Sequence, residues 1–530
     1  MRGVGEGRVW LFVALCAGAA VAVAYVATHA HPAHEGGLFL IIVEEIRTGG
    51  YALPERIPHY TADGVPFAYP PLLFYLVALF VDLTGVDPVA LALVLPSLVT
   101  VACLVPYYAL SRELLSSPRA AGVATLLFAV TPAALRWHIS AGGLIRAPAF
   151  LFTLCGLYAG VRLLRDGERR WLPPAAVLFG LTVLTHPVYA TFFGTSYLVL
   201  FAAFDRTPRG LLRGAAVAVG GLALASPWLV RVVSTHGPGV FFAAAGTHTG
   251  LGGGLRRLGT RFGYPLVALD VLTPLYAVAF AGGLYALYRR RYVLPIWLFV
   301  AGYVVGRQRF VFVPGAMLSA VFLLDWFAPT VRTRVRSARV GSSRFRRIAP
   351  TVAVATLLLG ACVIGVAFAG SALHTAHDRG PTQPQTVDAA DREAMAWARE
   401  ETPHSAGFVV LGDGAEWFPL YAERTIFASP WGAEWTTAAE YHRQESRFVS
   451  ASTCRNAACL DRSLDAVDGD PVYVYVPTDA YTVQGEAHEP PRALLASLRA
   501  TERYELRFEN EGAAIFEIRD GRESGKSAGA

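Results

Sequence analysis

Three acids follow the first apolar segment of the chain and are its best candidates for acid–base chemistry. Glu35 lies a few residues beyond that segment, and Glu44 and Glu45 follow in the run EGGLFLIIVEEIRTGG. A carboxylate that reaches a reacting hydroxyl can remove its proton while a new bond forms. Because the acids follow an apolar segment, this chemistry would take place at a membrane surface. Glu35 is the first choice for the base, and Glu44 and Glu45 are the alternatives.

Arginines supply a second chemical ingredient, because a guanidinium grips phosphate oxygens in a bidentate manner. Arg146 follows the pair Gly142–Gly143, and Arg307 and Arg309 lie between two short apolar segments. Each precedes a return into the membrane, where a lipid phosphate would lie. These three, with Arg56, are the predicted phosphate ligands. The alternative is that each side chain only reaches to the interface or pairs with a loop acid.

Three further residues carry weaker signals. His186, in the run THPVY, is either a proton handler or a histidine that satisfies a helix end. Glu416 and Trp417 open the run EWFPLYAERTIFASPWGAEW, which either binds sugars or packs on the membrane half. His29, His31 and His34 match no standard metal spacing, so a divalent metal is conceivable but unsupported.

These residues are positioned by a chain that is mostly apolar. Its 530 residues are 54% apolar with a mean hydropathy of +0.41, which indicates a membrane protein with many spans. Residues 1–370 carry a net charge of +17, and residues 371–530 carry −11. The chain shows no phosphate-binding P-loop, no dinucleotide fingerprint and no Ser/His/Asp order. Nothing in it points to a nucleic-acid partner.

Eleven transmembrane helices are predicted, and the arginines orient them. The predicted spans are residues 9–27, 89–110, 120–135, 147–161, 171–185, 188–204, 214–230, 265–288, 292–305, 311–327 and 351–370. With the N-terminus in the cytoplasm, 21 of the 31 arginines of residues 1–370 fall on the cytoplasmic side. The first loop and the C-terminal domain then lie outside the cell membrane.

The loop of residues 28–88 is predicted to hold two helices at the membrane surface. The first covers residues 36–46, with Leu38, Ile41, Ile42 and Ile46 on one face, and Gly49–Gly50 ends it. The second covers residues 72–81 and is too short to span. Residues 371–530 form a soluble α/β domain outside the membrane, with strands in GFVVL, DPVYVYVP and AAIFEIRD. Cys454 and Cys459 could form a disulfide there.

The arrangement resembles the GT-C superfamily of integral-membrane glycosyltransferases, in particular the branch of protein O-mannosyltransferases and the lipid A aminoarabinose transferase. The resemblance is carried by Glu35 with its helix, GGYALPERIPHYTADGVPFAYPPLLFYLVALFVDLTG, SAGGLIRAPAFLF, LTVLTHP, the RQRF–VFVPGAML step and the tryptophan-rich run. The family usually has Asp, often Asp-Glu, where this chain has Glu35 followed by two glycines. The oligosaccharyltransferase branch fits less well, because its WWD-type signature is absent.

The resemblance implies transfer of a sugar from a polyprenyl-phosphate donor at the outer face, with an acid of the first loop acting on the acceptor hydroxyl. The acceptor would be a protein, a lipid or a glycan, and membrane lipid would surround the enzyme. The alternative is a transporter or an assembly scaffold with an outer sensor domain. A transporter should carry charges or broken helices at mid-membrane in related halves. The sequence shows no internal repeat.

Overall fold

The structure is a computed structural model and describes residues 2–247, 254–338, 342–371, 373 and 387–519. Its first part consists of helices joined by short connections. The α-helices are α1 (Arg2–Thr28), α2 (Gly37–Thr48), α3 (Leu72–Thr84), α4 (Pro88–Leu114), α5 (Pro118–Ala129), α6 (Pro132–Ile139), α7 (Gly143–Leu164), α8 (Leu172–Val183), α9 (Pro187–Phe204), α10 (Pro208–His236), α11 (Gly239–Thr247), α12 (Gly254–Leu258), α13 (Tyr264–Val267), α14 (Thr273–Tyr288), α15 (Val293–Phe299), α16 (Gln308–Val321), α17 (Ala328–Ser337) and α18 (Ser343–Ala369). A short ladder pairs β1 (Arg56–Ile57) with β2 (Val65–Pro66), and π-helical turns extend α12, α15 and α16.

Seven helices of the described residues are long and apolar enough to cross a membrane. They cover Glu6–Thr28, Pro88–Leu114, Gly143–Leu164, Pro187–Phe204, Pro208–His236, Gln308–Ser337 and Ser343–Ala369. The bent pair α5 and α6, with an angle of 57° between the two helices, counts as an eighth span if it crosses as one unit. The other predicted spans fall on the shorter helices α8, α14 and α15. The polytopic helical class is confirmed, whereas the count of eleven stays a prediction.

Helix boundaries follow local sequence signals. The carboxylate of Asp87 accepts a hydrogen bond from the backbone N–H of Ala90 at 2.9 Å, and Pro88 starts α4. Pro132 separates α5 from α6, because its ring cannot follow on a helical turn without losing a backbone hydrogen bond. The break brings α6 back toward the start of α7, where Arg146 lies.

The first loop differs from the prediction in how its helices are covered. In α2, Phe39, Leu40 and Val43 are buried as fully as Leu38 and Ile42, so the helix is enclosed from Gly37 to Val43 and reaches the surface only in its last turns. Its apolar core is shared with the C-terminal part of the chain. By contrast, α3 leaves Leu76, Leu79, Phe80 and Leu83 exposed, as a helix at a membrane surface would.

The C-terminal part is a sheet covered by helices. Its elements are α19 (Ala389–Glu401), β3 (Gly407–Val410), α20 (Phe418–Ala422), β4 (Thr425–Phe427), α21 (Ala438–Ser452), α22 (Ala457–Leu464), β5 (Tyr473–Pro477), β6 (Tyr481–Val483), β7 (Glu486–His488), α23 (Arg492–Arg499), β8 (Tyr504–Glu509) and β9 (Ala513–Ile518). The five-stranded sheet has the order β4-β3-β5-β9-β8, with β4, β3 and β5 parallel and the last two pairs antiparallel. The three predicted strand segments are confirmed as β3, β5 and β9. Cys454 and Cys459 form a disulfide.

The tryptophan-rich run packs inside the molecule. Trp417, Trp431 and Trp435 are each at most 5% exposed, so the packing alternative describes this run and an open sugar-binding surface does not. The predicted domain boundary at residue 371 is followed by residues 374–386, which lie outside the described residues. The division into domains at that point stays a prediction.

Candidate active site

Glu35 lies in the turn between α1 and α2 and faces the start of α7. Its carboxylate forms an ion pair with the guanidinium of Arg146, and the two side chains are 14% and 10% exposed. Gly142 leaves the space that this guanidinium occupies, since a side chain at that position would collide with it. The structure thus joins two residues that are 111 positions apart, the predicted base and one of the predicted phosphate ligands.

The C-terminal domain fixes the backbone beside Glu35. The buried carboxylate of Glu416 accepts hydrogen bonds from the backbone N–H groups of Gly36, Gly37 and Leu38 at 2.9–3.1 Å. A negative group at this position also complements the N-terminal end of α2. Burial raises the pKa of Glu416 to about 7, and the three N–H donors counter part of that rise. Glu416 therefore acts here as a clamp on the peptide that carries Glu35.

Trp417 completes this clamp from the neighbouring position. Its indole N–H donates to the backbone carbonyl of His34 at 3.1 Å, and its ring packs edge-on against His31 at 4.3 Å between centroids. At Gly37, an added Cβ would lie 2.4 Å from the backbone oxygen of Glu416. The two glycines after Glu35 thus have a packing reason, because the C-terminal domain approaches the backbone where a side chain would stand.

Two further predicted arginines lie beside the ion pair, at the start of α16. Arg309 is 7% exposed and its guanidinium carbon lies 5.2 Å from the centre of the Tyr189 ring. Arg307 precedes α16 and lies within electrostatic range of Arg146, Arg309 and Arg261. No carboxylate among the described residues forms an ion pair with Arg307 or Arg309. Such a cluster carries excess positive charge at the membrane boundary, which suits an anionic ligand.

Aromatic side chains form the wall around these guanidinium groups. The guanidinium of Arg146 lies 4.9 Å from the centre of the Trp137 ring and 5.9 Å from that of Phe39. The Tyr189 hydroxyl and His138 Nε2 are hydrogen-bonded at 2.6 Å. Stacked rings hold a guanidinium in place without neutralising it, so the cluster keeps its charge for a ligand.

Two residues of this site were not identified from the sequence. Tyr69, in the segment before α3, is within electrostatic range of Glu434, Glu35 and Arg146. Its ring also contacts Trp435 at 4.9 Å between centroids. Burial, followed by the charges of Glu434 and Glu35, raises the pKa of Tyr69, so its hydroxyl stays protonated. The second residue is Glu434. The only signal in the sequence was that Tyr69 and Glu434 lie in the runs that carry the family resemblance.

Glu434 lies in the 3-10 turn Ala433–Trp435 of the C-terminal domain. Burial raises the pKa of Glu434 to about 7, and the nearby charge of Glu35 raises it further. A second carboxyl group, with a pKa of about 7, thus lies within electrostatic range of Glu35 and Arg146. Tyr69 and Glu434 add a hydroxyl and a carboxyl group to this site.

The remaining predicted site residues lie elsewhere or do other work. Glu44 is half exposed and pairs with Arg47 at 2.7 Å, and burial raises the pKa of the neighbouring Glu45. Arg56 donates to the backbone carbonyls of Asp63 and Gly64, both at 2.7 Å, and so holds the β1–β2 turn. The structure does not bring these three to the arginine cluster, because each is engaged in the first loop itself.

His186 caps a helix beside the cluster. Its Nδ1 accepts a hydrogen bond from the backbone N–H of Val188 at 3.3 Å at the start of α9, and its ring packs against Tyr189. This is the helix-end alternative for His186. Among the residues that the structure describes, no three His, Cys, Asp or Glu side chains come close enough together to hold a metal ion.

Comparison with known proteins adds a family match over part of the chain. Residues 68–230 match the family model of dolichyl-phosphate-mannose-protein mannosyltransferase. This range contains Tyr69, Arg146 and His186, and it excludes Glu35 and the C-terminal domain. No curated protein sequence matches the chain.

Solved structures match over nearly the full length. The oligosaccharyltransferase AglB from Archaeoglobus fulgidus, in complex with an inhibitory peptide and a dolichol-phosphate, is 16% identical, with a TM-score of 0.58 over 88% of this chain and 69% of that one. ArnT from Cupriavidus metallidurans, bound to undecaprenyl phosphate, is 15% identical, with a TM-score of 0.55 over 97% and 98%. The arabinofuranosyltransferase AftD from Mycobacteria is 15% identical, with a TM-score of 0.56 over 96% and 40%.

At these identities the likeness concerns the fold, and the fold is the one that the first loop and the arginine pattern indicated. The chain therefore shares its fold with the solved membrane glycosyltransferases AglB, ArnT and AftD, and residues 68–230 match one mannosyltransferase family model.

Proposed function

We propose that this protein transfers a sugar from a polyprenyl-phosphate carrier to a hydroxyl group of an acceptor, with Glu35 as the general base. The single observation that carries the proposal is the pairing of Glu35 with Arg146 beside Arg307 and Arg309. A proton acceptor and an anion-binding cluster are the two groups that such a transfer needs side by side.

The reaction follows from these positions. The acceptor oxygen attacks the anomeric carbon of the sugar while the bond from that carbon to the phosphate oxygen breaks. Glu35 takes the proton of the acceptor hydroxyl, and the electron pair of the broken bond leaves with the carrier phosphate. Arg307 and Arg309 stabilise the added negative charge of that phosphate. Arg146 holds Glu35 in place and turns partly to the phosphate when the donor binds.

Tyr69 and Glu434 complete the acceptor side of the proposal. Because Tyr69 keeps its proton, it donates a hydrogen bond to a sugar or acceptor oxygen, and Glu434 accepts one from a hydroxyl. The solved neighbours support the kind of donor, since AglB is complexed with a dolichol-phosphate and ArnT with undecaprenyl phosphate. The acceptor is assigned only as a protein, lipid or glycan hydroxyl.

The membrane orientation is part of the same proposal. The arginine bias supports an N-terminus in the cytoplasm and the Glu35 end on the outer face, where the donor and acceptor would meet. An acceptor that arrives from outside then meets a site that is partly roofed by the C-terminal domain.

The test compares cell-surface glycans of a deletion strain with those of the same strain complemented by the wild type or by Glu35→Gln. Loss of one glycan in the deletion strain, restored by the wild type but not by the variant, is the expected result. Purified protein should also bind a polyprenyl-phosphate sugar. Unchanged glycans together with no donor binding would favour a transporter or scaffold instead.

A further inference from the structure

A cavity lies at the opposite end of the membrane helices from Glu35. It has a volume of about 420 Å³. It is enclosed by the last turns of α4, α9 and α16, the connection after α14 and the beginning of α15, and its lining residues include Val199, Ala203, Arg206, Arg290, Ile296 and Val321. The helix α9 begins next to Tyr189 and runs 18 residues to this cavity, which is about 27 Å at 1.5 Å per residue. The cavity is thus separate from the Glu35 site.

The charges around this cavity are all positive. Arg206, Arg290 and Arg291 line it, and no acidic residue does among the described residues. The Nε of Arg206 donates to the backbone carbonyl of Ala202, and the residue is exposed. Arg291 forms one long ion pair, with Asp325 at 3.6 Å.

Two other arginines at this end of the molecule, Arg162 and Arg165, are neutralised by acids. Arg162 and Arg165 share Glu113, and both also pair with Asp166. In the described residues, Arg206 and Arg290 form no ion pair at all. The bias of positive charge toward one side of a membrane applies to paired and unpaired arginines alike, so it does not explain why Arg206 and Arg290 lack ion pairs. Arg206 and Arg290 differ from Arg162 and Arg165 in that they line the cavity.

The surroundings place the cavity mouth at the level of lipid headgroups. Tyr288 and Tyr292 are 82% and 51% exposed on either side of the arginines, and exposed aromatic side chains of this kind occupy the membrane–water interface. Leu284 and Ile296 are also exposed and would face the acyl chains. A ligand in the cavity would therefore have its anionic part beside the arginines and its apolar part in the bilayer.

We propose that this cavity binds one anionic phospholipid. Its headgroup phosphate lies between Arg206 and Arg290, and the start of an acyl chain runs along Val199, Ile296 and Val321. Guanidinium groups bind phosphate oxygens through charge-assisted hydrogen bonds, and the volume falls in the range of roughly 300–1,000 Å³ that ligand pockets have. This site does not depend on the glycosyl-transfer proposal, because none of its residues contacts the Glu35 site.

The test is native mass spectrometry of the purified, delipidated full-length protein, titrated with phosphatidylglycerol and, separately, with phosphatidylcholine. One phosphatidylglycerol is expected to bind at least about ten-fold more tightly than phosphatidylcholine. The double variant Arg206→Gln/Arg290→Gln should weaken that binding by about 25-fold, since each basic residue near an anionic lipid contributes about five-fold. Ala203→Trp, which fills the cavity without a change of charge, should abolish the binding of phosphatidylglycerol.

The matched control is Arg289→Gln, because Arg289 lies in the same connection but does not line the cavity. It should bind phosphatidylglycerol as the wild type does. Equal binding of both lipids, or unchanged binding in the double variant, would overturn the proposal. So would displacement of the phospholipid by a polyprenyl phosphate, which would make the cavity a second carrier site, or by inorganic phosphate, which would make it a site for free anions.

Discussion

Arginines at the two ends of the membrane domain are held in opposite ways. At the Glu35 end, Arg146 and Arg309 are 8% and 7% exposed, and aromatic rings rather than carboxylates surround Arg309. At the other end, Arg162 and Arg165 are more exposed and pair with Glu113. A buried charge without an equal opposite charge costs folding free energy. We attribute that cost at the Glu35 end to the ligand of the proposed function, whereas Arg162 and Arg165, being paired, call for no ligand.

Among the arginine variants, the largest effect is expected from Arg146→Lys. Lysine keeps the charge but loses the planar fork that pairs with Glu35 and stacks on Trp137. Turnover should fall by about 10²-fold, the scale for loss of one charge-stabilising donor. Arg162→Lys is the matched control at the other end and should keep normal turnover. Equal losses in both variants, measured by initial transfer rates, would remove the contrast between the two ends.

A smaller effect should follow from Arg307→Lys or Arg309→Lys. Each change replaces two directed hydrogen bonds to phosphate with one, so the Kd for the donor should rise by about ten-fold. Arg56→Lys should leave donor binding unchanged, because Arg56 donates to backbone carbonyls of the first loop. Donor titration followed by intrinsic fluorescence measures all three. An effect of Arg56→Lys alone would shift the phosphate site to the first loop.

Removing the clamp at Glu416 should act mainly on stability. In Glu416→Gln, one backbone N–H beside Glu35 loses its acceptor, which costs about 1–3 kcal/mol for a buried donor. The Tm of the purified protein should fall, and turnover should fall with it because Glu35 is less well placed. Glu423→Gln, at an exposed carboxylate that pairs with Arg399, is the control. A wild-type Tm in Glu416→Gln would show that the clamp does not hold the loop.

The smallest effect concerns the pH dependence of stability. Burial raises the pKa of Glu434 to about 7, so the folded protein keeps this proton at pH values where the unfolded chain, with a pKa of about 4.5, has lost it. The free energy of unfolding should therefore decrease as pH rises from about 4.5 to about 7. Glu434→Gln should flatten that slope, because glutamine binds no proton in either state. The measurement is thermal unfolding of the wild type and of Glu434→Gln at several pH values. If Glu434 were freely solvated, the two proteins would show the same dependence of stability on pH.

The sequence was sufficient for the features that depend on local patterns. Apolar runs predicted the helical membrane class, and short β-like runs separated by turn residues predicted β3, β5 and β9. The loop helix that starts beside Glu35 was also predicted, close to its observed bounds. The burial of its first half was not, because the covering comes from Glu416 and Trp417, some 380 residues away.

The site was predictable only in its parts. Glu35 and Arg146 were each selected for their chemistry, but nothing in the spacing of 111 residues showed that they form an ion pair. Tyr69 and Glu434 were not selected as site residues, although both lie in runs that carry the family resemblance. Their place in the site depends on how the C-terminal domain sits on the first loop, and that is a contact between distant parts of the chain.

The account rests most directly on Glu35 as the base, and donor binding and turnover measured together in Glu35→Gln test it. Glutamine keeps the shape and removes the proton acceptor, so turnover should drop by about 10²–10⁴-fold, the range for one general base. Donor binding should be retained, because the arginine cluster is intact. Glu44→Gln, at the acid paired with Arg47, should show normal turnover. Normal turnover in Glu35→Gln, with its loss in Glu44→Gln, would contradict the central claim.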